Sequence, residues 1–231
     1  MLNRLRRFGF RLLYNECAFS YDLVSAAVSL GRWRSWQRSA LRFLPAPEAG
    51  LALELAQGTG ELQIDLVNAG YRTVALDLSR SMGKLARRKL ARHGLRASLA
   101  TGDAARLPFQ SCSVAALVCT FPTSFICQPQ TLAEIERVLR QDGRAVIVLT
   151  GRLSGSSIIR WLIKGLYRLS GQAYRAIDDA ALRDMFDANG LTAETQVVQL
   201  ADSRAQVVIL HKYPGAARKQ RDHRLELARQ P

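Results

Sequence analysis

The feature that limits this chain most is an alternation, from Leu51 to Thr150, of short apolar runs with stretches of helical period. "LALELA" (51–56), "RTVALDL" (72–78), "RASLAT" (96–101), "SVAALVC" (113–119) and "RAVIVLT" (144–150) read as strands. Residues 60–69, 79–92 and 130–140 space their apolar side chains three and four apart, as helices do. Strand–helix–strand order implies parallel pairing, and right-handed crossovers then put helices on both faces. The expected fold is α/β, a Rossmann-like doubly wound sheet. After Thr150 the order changes. Helices over 156–170 and 178–188 precede two runs, "TAETQVVQL" (192–200) and "RAQVVILHKY" (204–213), whose short link at Ala201-Asp202-Ser203 suits an antiparallel hairpin.

With 231 residues the chain suffices for one sizeable α/β domain with appendages. Ahead of the alternation, residues 2–14 set Leu2, Leu5, Phe8, Leu12 and Leu13 opposite four arginines, and 22–30 and 33–43 suggest two further helices. The Pro/Gly segment 45–50 is the expected seam. The expected organisation is an N-terminal helical cap (1–45), a main domain (46–213) with a lid insertion at about 152–176, and a basic tail (214–231). Cys17, Cys112, Cys119 and Cys127 form no C-x-x-C pair and no metal-like spacing with the three histidines, which points to a reduced, cytoplasmic protein without disulfides or metal. Arg11 interrupts the only leader-like stretch, and Pro108, Pro122 and Pro129 break the longest uncharged run, so neither a signal peptide nor a membrane span is expected.

Within the first strand–turn–helix, Gly58-Thr59-Gly60 lets the chain turn and exposes backbone to a ligand, and Glu54 sits inside the apolar run. Asp77 ends the second strand 19 residues after Gly58, where a carboxylate can accept both hydroxyls of a ribose. A dinucleotide site wants a third glycine where this chain has Gln63, which argues against NAD or FAD. Asp103, in "TGDAARLPF" after the third strand, is placed to meet an adenine amino group. Two acids at successive strand ends suit an uncharged or cationic nucleoside better than a pyrophosphate. Taken singly, each feature has a plainer reading: a tight turn, a helix cap at Asp77 (which Ser79 supplies as well), a turn residue at Asp103.

Together these residues resemble the class I S-adenosylmethionine-dependent methyltransferases. The first motif of that family is matched by Glu54-Leu55-Ala56-Gln57-Gly58-Thr59-Gly60, and "LAEIERVLRQDGRAVIVL" is similar to its helix, turn and fifth strand. The resemblance implies a seven-stranded sheet with its last strand antiparallel and S-adenosyl-L-methionine as cofactor. It implies cofactor contacts from Glu54, Ala56, Gln57, Gly58 and Gly60, from Asp77 and Leu78 at the ribose, from Asp103 and Ala104 at the adenine, and from Thr120 after the fourth strand. "YDLVSAAVSLGRWRSWQRSALRFL" is similar to the N-terminal cap of ubiquinone/menaquinone-type C-methyltransferases, which implies Tyr14 and Tyr21 as cap residues over the cofactor. Three positions depart from the family pattern. Ala56 replaces a glycine, Gln57 stands where a small residue or cysteine is common, and Glu54 is longer than aspartate.

Methyl transfer from a sulfonium needs chiefly alignment and exclusion of water, and no base stands out: His93 ends a basic helix, His211 lies in the last strand, His223 in the tail. Thr120-Phe121-Pro122-Thr123 lacks the polar grip that some N-methyltransferases place there, which turns the expectation away from planar amines. Phe121 and Phe125 either line an apolar acceptor pocket or belong to the core. Over 156–170, Ile158, Ile159, Leu162, Ile163, Leu166 and Leu169 oppose Arg160, Lys164 and Arg168, with Trp161 and Tyr167 at the borders. That pattern fits an interfacial helix or a lid covering the core. The net charge is +14, and residues 80–96 hold seven Lys/Arg and no acid. With the arginines of 4–11 and 32–42 this surface could attract anionic membrane or nucleic acid, or be a generic basic exterior. The expected function is methyl transfer to a small lipophilic or amphipathic acceptor, quinone-like or lipid-like. The rivals are an RNA methyltransferase and a non-catalytic binding protein of the same fold.

Overall fold

A computed structural model describes residues 25–27, 29–154 and 179–213. The helices are α1 (Trp33–Arg38), α2 (Glu61–Asn68), α3 (Arg80–Arg92), α4 (Pro129–Val138) and α5 (Asp179–Asp187). The strands are β1 (Leu51–Leu55), β2 (Thr73–Asp77), β3 (Ser98–Thr101), β4 (Val114–Thr120), β5 (Leu139–Leu153), β6 (Leu191–Leu200) and β7 (Ser203–Lys212). They form one seven-stranded sheet in the order β3-β2-β1-β4-β5-β7-β6. β1 to β5 pair in parallel. β7 runs antiparallel to both β5 and β6, so the last strand alone is reversed, as expected from the two-residue link that ends β6.

The chain leaves β1 toward β2 on one side and reaches β4 on the other. The carboxyl ends of β1 and β4 therefore flank the switch point at which doubly wound sheets open a crevice. β4 is buried along its whole length, as a central parallel strand covered on both faces must be. On one face Leu53, Leu55, Leu117 and Ile147 pack with Leu132 and Ile135 of α4 and Leu182 and Phe186 of α5. On the other, Ala52, Ala116, Val118, Val146 and Val148 pack with Leu62 and Leu66 of α2 and with Trp36, Ala40 and Leu44.

Two elements differ from the sequence expectation. The helix expected over 33–43 is α-helical only to Arg38 and then tightens to a 3-10 turn over Ser39–Arg42. The Ser39 hydroxyl donates to the Trp36 carbonyl at 2.6 Å and so competes for a backbone acceptor. The fifth strand begins at Leu139 rather than 144. Its pairing jumps from Leu139 to Arg144 while β4 advances only from Val114 to Ala116, so the surplus residues bulge out. That strand also takes in Arg152 and Leu153, which the sequence reading had assigned to the lid. The rest of the expected lid, including the helix at 156–170, lies outside the described residues, as do Tyr14, Tyr21, the helix at 2–14 and the tail. Among the described residues no helix is long and apolar enough to cross a membrane.

Candidate functional site

β1 leads into the turn through Ala56 at φ 55°, Gly58 at φ 55° and Gly60 at φ 82°. Ala56 thus adopts left-handed backbone at the position where the resemblance expects glycine, a strain of roughly 1–2 kcal/mol for an L residue. Its N–H donates to the Leu76 carbonyl at 2.8 Å, which ties the turn to β2. Gly60 begins α2, and a Cβ there would stand 2.8 Å from the Ala86 Cβ of α3. At Gly58 a Cβ would meet nothing within 4 Å, so its surroundings are open to a ligand.

Asp77 closes this turn. It is buried, its Oδ2 accepts from the Gly58 N–H at 2.9 Å and its Oδ1 from the Ser79 N–H at 2.7 Å. Burial pushes the carboxyl pKa up, and the Ser79 and Gly58 N–H groups pull it back. A carboxylate has about four lone-pair sites, so these two bonds leave acceptor capacity for a diol. Beside it Leu78 is 75% exposed, a bare apolar rim on the crevice. The cap of α3 is supplied by Ser79, whose Oγ accepts from the Met82 N–H, which frees Asp77 from the helix-cap role.

Glu54 lies under the turn, 1% exposed, and its Oε2 accepts from Gln63 Nε2 of α2 at 2.6 Å. Gln63 Oε1 in turn accepts from the Thr73 hydroxyl at 3.1 Å. Burial raises the Glu54 pKa to about 8 against the pull of Gln63, with Asp77 and Asp65 adding to the rise. This geometry supports a bracing role for Glu54. Gln63, read from sequence only as a missing glycine, is its buried partner; the available signal was a pair of polar residues, Gln63 and Thr73, at otherwise apolar positions. A second brace is Lys89 of α3, whose Nζ donates to Thr59 Oγ1 at 3.1 Å and to Glu61 at 2.6 Å. Gln57 differs from all of these. It is 3% exposed, and neither its amide nitrogen nor its oxygen has a partner among the described residues. An unsatisfied buried polar group costs about 1–3 kcal/mol, so this amide is set for a ligand or water.

Asp103 is exposed and builds a turn of its own, Oδ1 accepting from Ala105 N–H and its carbonyl from Arg106 N–H. Ala104 beside it is half-buried against the core. The loop is pinned further along by α4: Glu134 accepts from the Leu107 N–H, and Arg137 donates to the Leu107 and Phe109 carbonyls. Thr120 is buried at the end of β4, and its Oγ1 accepts from Gln37 Nε2 of α1 at 3.1 Å.

The two phenylalanines, expected either to line an acceptor pocket or to belong to the core, are not brought together. The Phe121 ring stacks 4.0 Å from Trp33 and 6.2 Å from Trp36, whereas Phe125 packs against the opposite cluster with α4 and α5. Phe121 leaves the end of β4 at φ 51°, and Phe125 sits a turn later in the 3-10 helix Ser124–Cys127, so the two rings go to different layers. The arginines on and just before α1 are not a free basic surface either: Arg34 and Arg38 pair with Asp65 at 3.0 and 3.1 Å, and Arg32 pairs with Asp202. His93 is exposed beside the Lys89 carbonyl, and His211 is half-buried in β7, paired in register with Arg144.

Residues 52–143 match the family model described as a methyltransferase domain. A demethylmenaquinone methyltransferase of Deinococcus radiodurans is 34% identical over 139 residues, 59% of this chain and 58% of the relative. The ubiquinone/menaquinone biosynthesis C-methyltransferase UbiE of Syntrophotalea carbinolica is 30% identical over 197 residues, 78% of this chain and 80% of the relative. The chain spans less than two thirds of several such relatives, among them the Deinococcus enzyme and one of Beutenbergia cavernae, of which it covers 55%. Among solved structures, the YcgJ protein of Bacillus subtilis superposes with a TM-score of 0.60 at 16% identity, over 78% of this chain and 99% of that one. The geranyl diphosphate C-methyltransferase of Streptomyces coelicolor A3(2) gives 0.58 at 13% identity, over 77% and 78% of the two chains. Identities this low carry the fold alone.

Proposed function

Because the chain belongs to the class I S-adenosyl-L-methionine-dependent methyltransferases and resembles the ubiquinone/menaquinone type, we propose that it methylates a small lipophilic, quinone-like acceptor. The observation that carries the reading is the hydrogen bond from the Gly58 N–H to Asp77, which sets an open glycine turn and a carboxylate with spare lone pairs side by side at the switch point. The residues present fit the cofactor. Gly58 stands in open space, the Gln57 amide lacks a partner among the described residues, and Leu78 offers an exposed apolar face.

In this reading Asp77 accepts the ribose hydroxyls, Leu78 lies against the adenine, Asp103 and Ala104 border its far edge, and Gly58 and Gly60 leave room for the methionine part. Glu54 orders the turn from beneath, Ala56 shapes it, and Thr120 sits at the neighbouring strand end. S-adenosyl-L-methionine supplies an electrophilic methyl on a sulfonium, so the protein's part is to align the acceptor and exclude water. The acceptor class rests on the relatives named for demethylmenaquinone and on the amphipathic sequences at 2–14 and 156–170. Tyr14 and Tyr21 are proposed to close over the site, and Phe125 stays a candidate acceptor contact.

Equilibrium dialysis with S-adenosylmethionine tests the site. Asp77→Asn keeps an acceptor for Gly58 but removes the charge, and the expected outcome is a loss of affinity of roughly tenfold or more. Unchanged affinity would refute the role given to Asp77. Incubation with methyl-labelled cofactor and cell extract tests the acceptor class: label is expected in the organic phase, and label confined to the aqueous phase overturns it.

A further inference from the structure

The twenty-five residues between Asp77 and Asp103 contain no aspartate or glutamate, and most of them form α3 and its flanks. α3 is thirteen residues long, about 20 Å. At ~100° per residue Arg80, Lys84, Arg87 and Arg88 fall within one arc of about 100°, with Arg92 about 40° beyond it. Met82, Ala86 and Leu90 lie opposite and are buried, so the five basic side chains face outward, and each of them is exposed. None of the five pairs with a carboxylate among the described residues, in contrast to Arg32, Arg34, Arg38 and Lys89.

The basic surface continues past the helix. α3 runs down the sheet from the carboxyl end of β2 to the amino end of β3. There Arg72 and Arg96 line an open groove of about 350 Å³ together with Tyr71, Thr73 and Ser98. At the other end of the helix stands Leu78, 75% exposed at the mouth of the cofactor crevice. One edge of the molecule thus joins a line of cations without a carboxylate partner among the described residues to a groove between two guanidiniums, with the crevice mouth at its end.

We propose that this edge docks the protein on an anionic phospholipid bilayer, with α3 lying along the headgroups and the crevice mouth at the rim of the contact. Charge complementarity identifies the partner as polyanionic, and each Lys or Arg near an anionic leaflet adds to the attraction. Two observations favour a bilayer over nucleic acid. Residues 78–106 contain no Phe, Tyr or Trp, and Tyr71 in the groove is buried, so the surface has no row of large exposed aromatics on which successive bases could stack. The lipophilic acceptor argued above, on which this choice of partner rests, resides in membrane.

The test is co-sedimentation of the full chain with phosphatidylcholine vesicles, with and without a third of phosphatidylglycerol. Binding is expected only to the anionic vesicles, and to disappear as salt rises from about 0.1 M to about 1 M and the screening length falls from ~10 to ~3 Å. The variant Lys84→Gln/Arg87→Gln/Arg88→Gln/Arg92→Gln is expected to lower vesicle binding by roughly tenfold or more. All four side chains are exposed and lie off the face of α3 that carries Ala86 and Lys89 to the turn, so its folding and its S-adenosylmethionine affinity should match the parent. Full vesicle binding by that variant would place the contact elsewhere and overturn the proposal. So would displacement from vesicles by duplex RNA at equal phosphate, if the variant also lost RNA binding. Cofactor dialysis is run without vesicles, so failure of the methyltransferase reading and failure of the docking face are separate results.

Discussion

Glu54 shows what a single buried carboxyl does to the pH dependence of this fold. Its pKa rises from an ordinary 4.5 to about 8, so the native state holds a proton that the unfolded chain gives up. For a raised carboxyl the contribution to stability is complete below the unfolded pKa and declines as pH climbs through the folded one. The window is thus about pH 4.5 to 8, and the loss across it is on the order of 5 kcal/mol. Glu54→Gln keeps an acceptor for Gln63 and cannot ionise. Urea midpoints of parent and variant are expected to agree near pH 4 and to separate toward pH 8, the variant being more stable. A gap that does not widen with pH would mean that Glu54 ionises without cost. At this scale the legible residues were those tied to the chain's own spacing: Gly58, Gly60 and Asp77 sit at turn and strand ends that periodicity locates. Gln63, Lys89, Arg137 and Gln37 were not legible as partners, because each acts on a residue brought near only by the finished fold.

At the scale of elements, the close approach of α2 and α3 holds the glycine turn in shape. Gly60 combines φ 82° with the 2.8 Å approach of a would-be Cβ to Ala86, so both the backbone and the helix contact demand glycine. Gly60→Ala is expected to destabilise by roughly 2–4 kcal/mol, the sum of left-handed strain and overpacking. Adding Ala86→Gly should recover the steric part and leave the backbone part, at some cost in helix propensity within α3. Denaturant curves of the three proteins check this. No recovery in the double variant would mean that the backbone conformation alone requires glycine. Element boundaries followed the same division. Strands and helices with clear period lay close to their expected places, whereas the bulge that starts β5 at Leu139 depends on register against β4, and the early tightening after Arg38 depends on one serine hydroxyl.

For the molecule as a whole, the open question is how firmly the N-terminal segment belongs to the sheet. The Pro/Gly segment 45–50 placed a seam there in the sequence reading, and the chain does make a Pro47–Ala49 turn in it. Yet Trp36, Ala40 and Leu44 are buried with α2 and the β5–β7 region, and a Cβ on Gly151 of β5 would come 2.0 Å from the Trp36 ring. Gln37 bonds Thr120 of β4, Arg34 and Arg38 reach Asp65 of α2, and the Arg144 guanidinium donates to the Phe43 carbonyl. So dense a set of ties makes α1 part of the core, where loss of a large aromatic costs about 3–5 kcal/mol. Two of the three tryptophans, Trp33 and Trp36, lie on α1 and report on it once Trp161 is replaced by phenylalanine. In that background, urea transitions followed by tryptophan fluorescence and by far-ultraviolet circular dichroism are expected to coincide, because α1 cannot leave without opening the sheet face it covers. A fluorescence transition at lower urea, with the sheet signal intact, would instead show a separable cap hinged at the Pro/Gly turn, and Trp36→Ala would then spare the midpoint of the sheet.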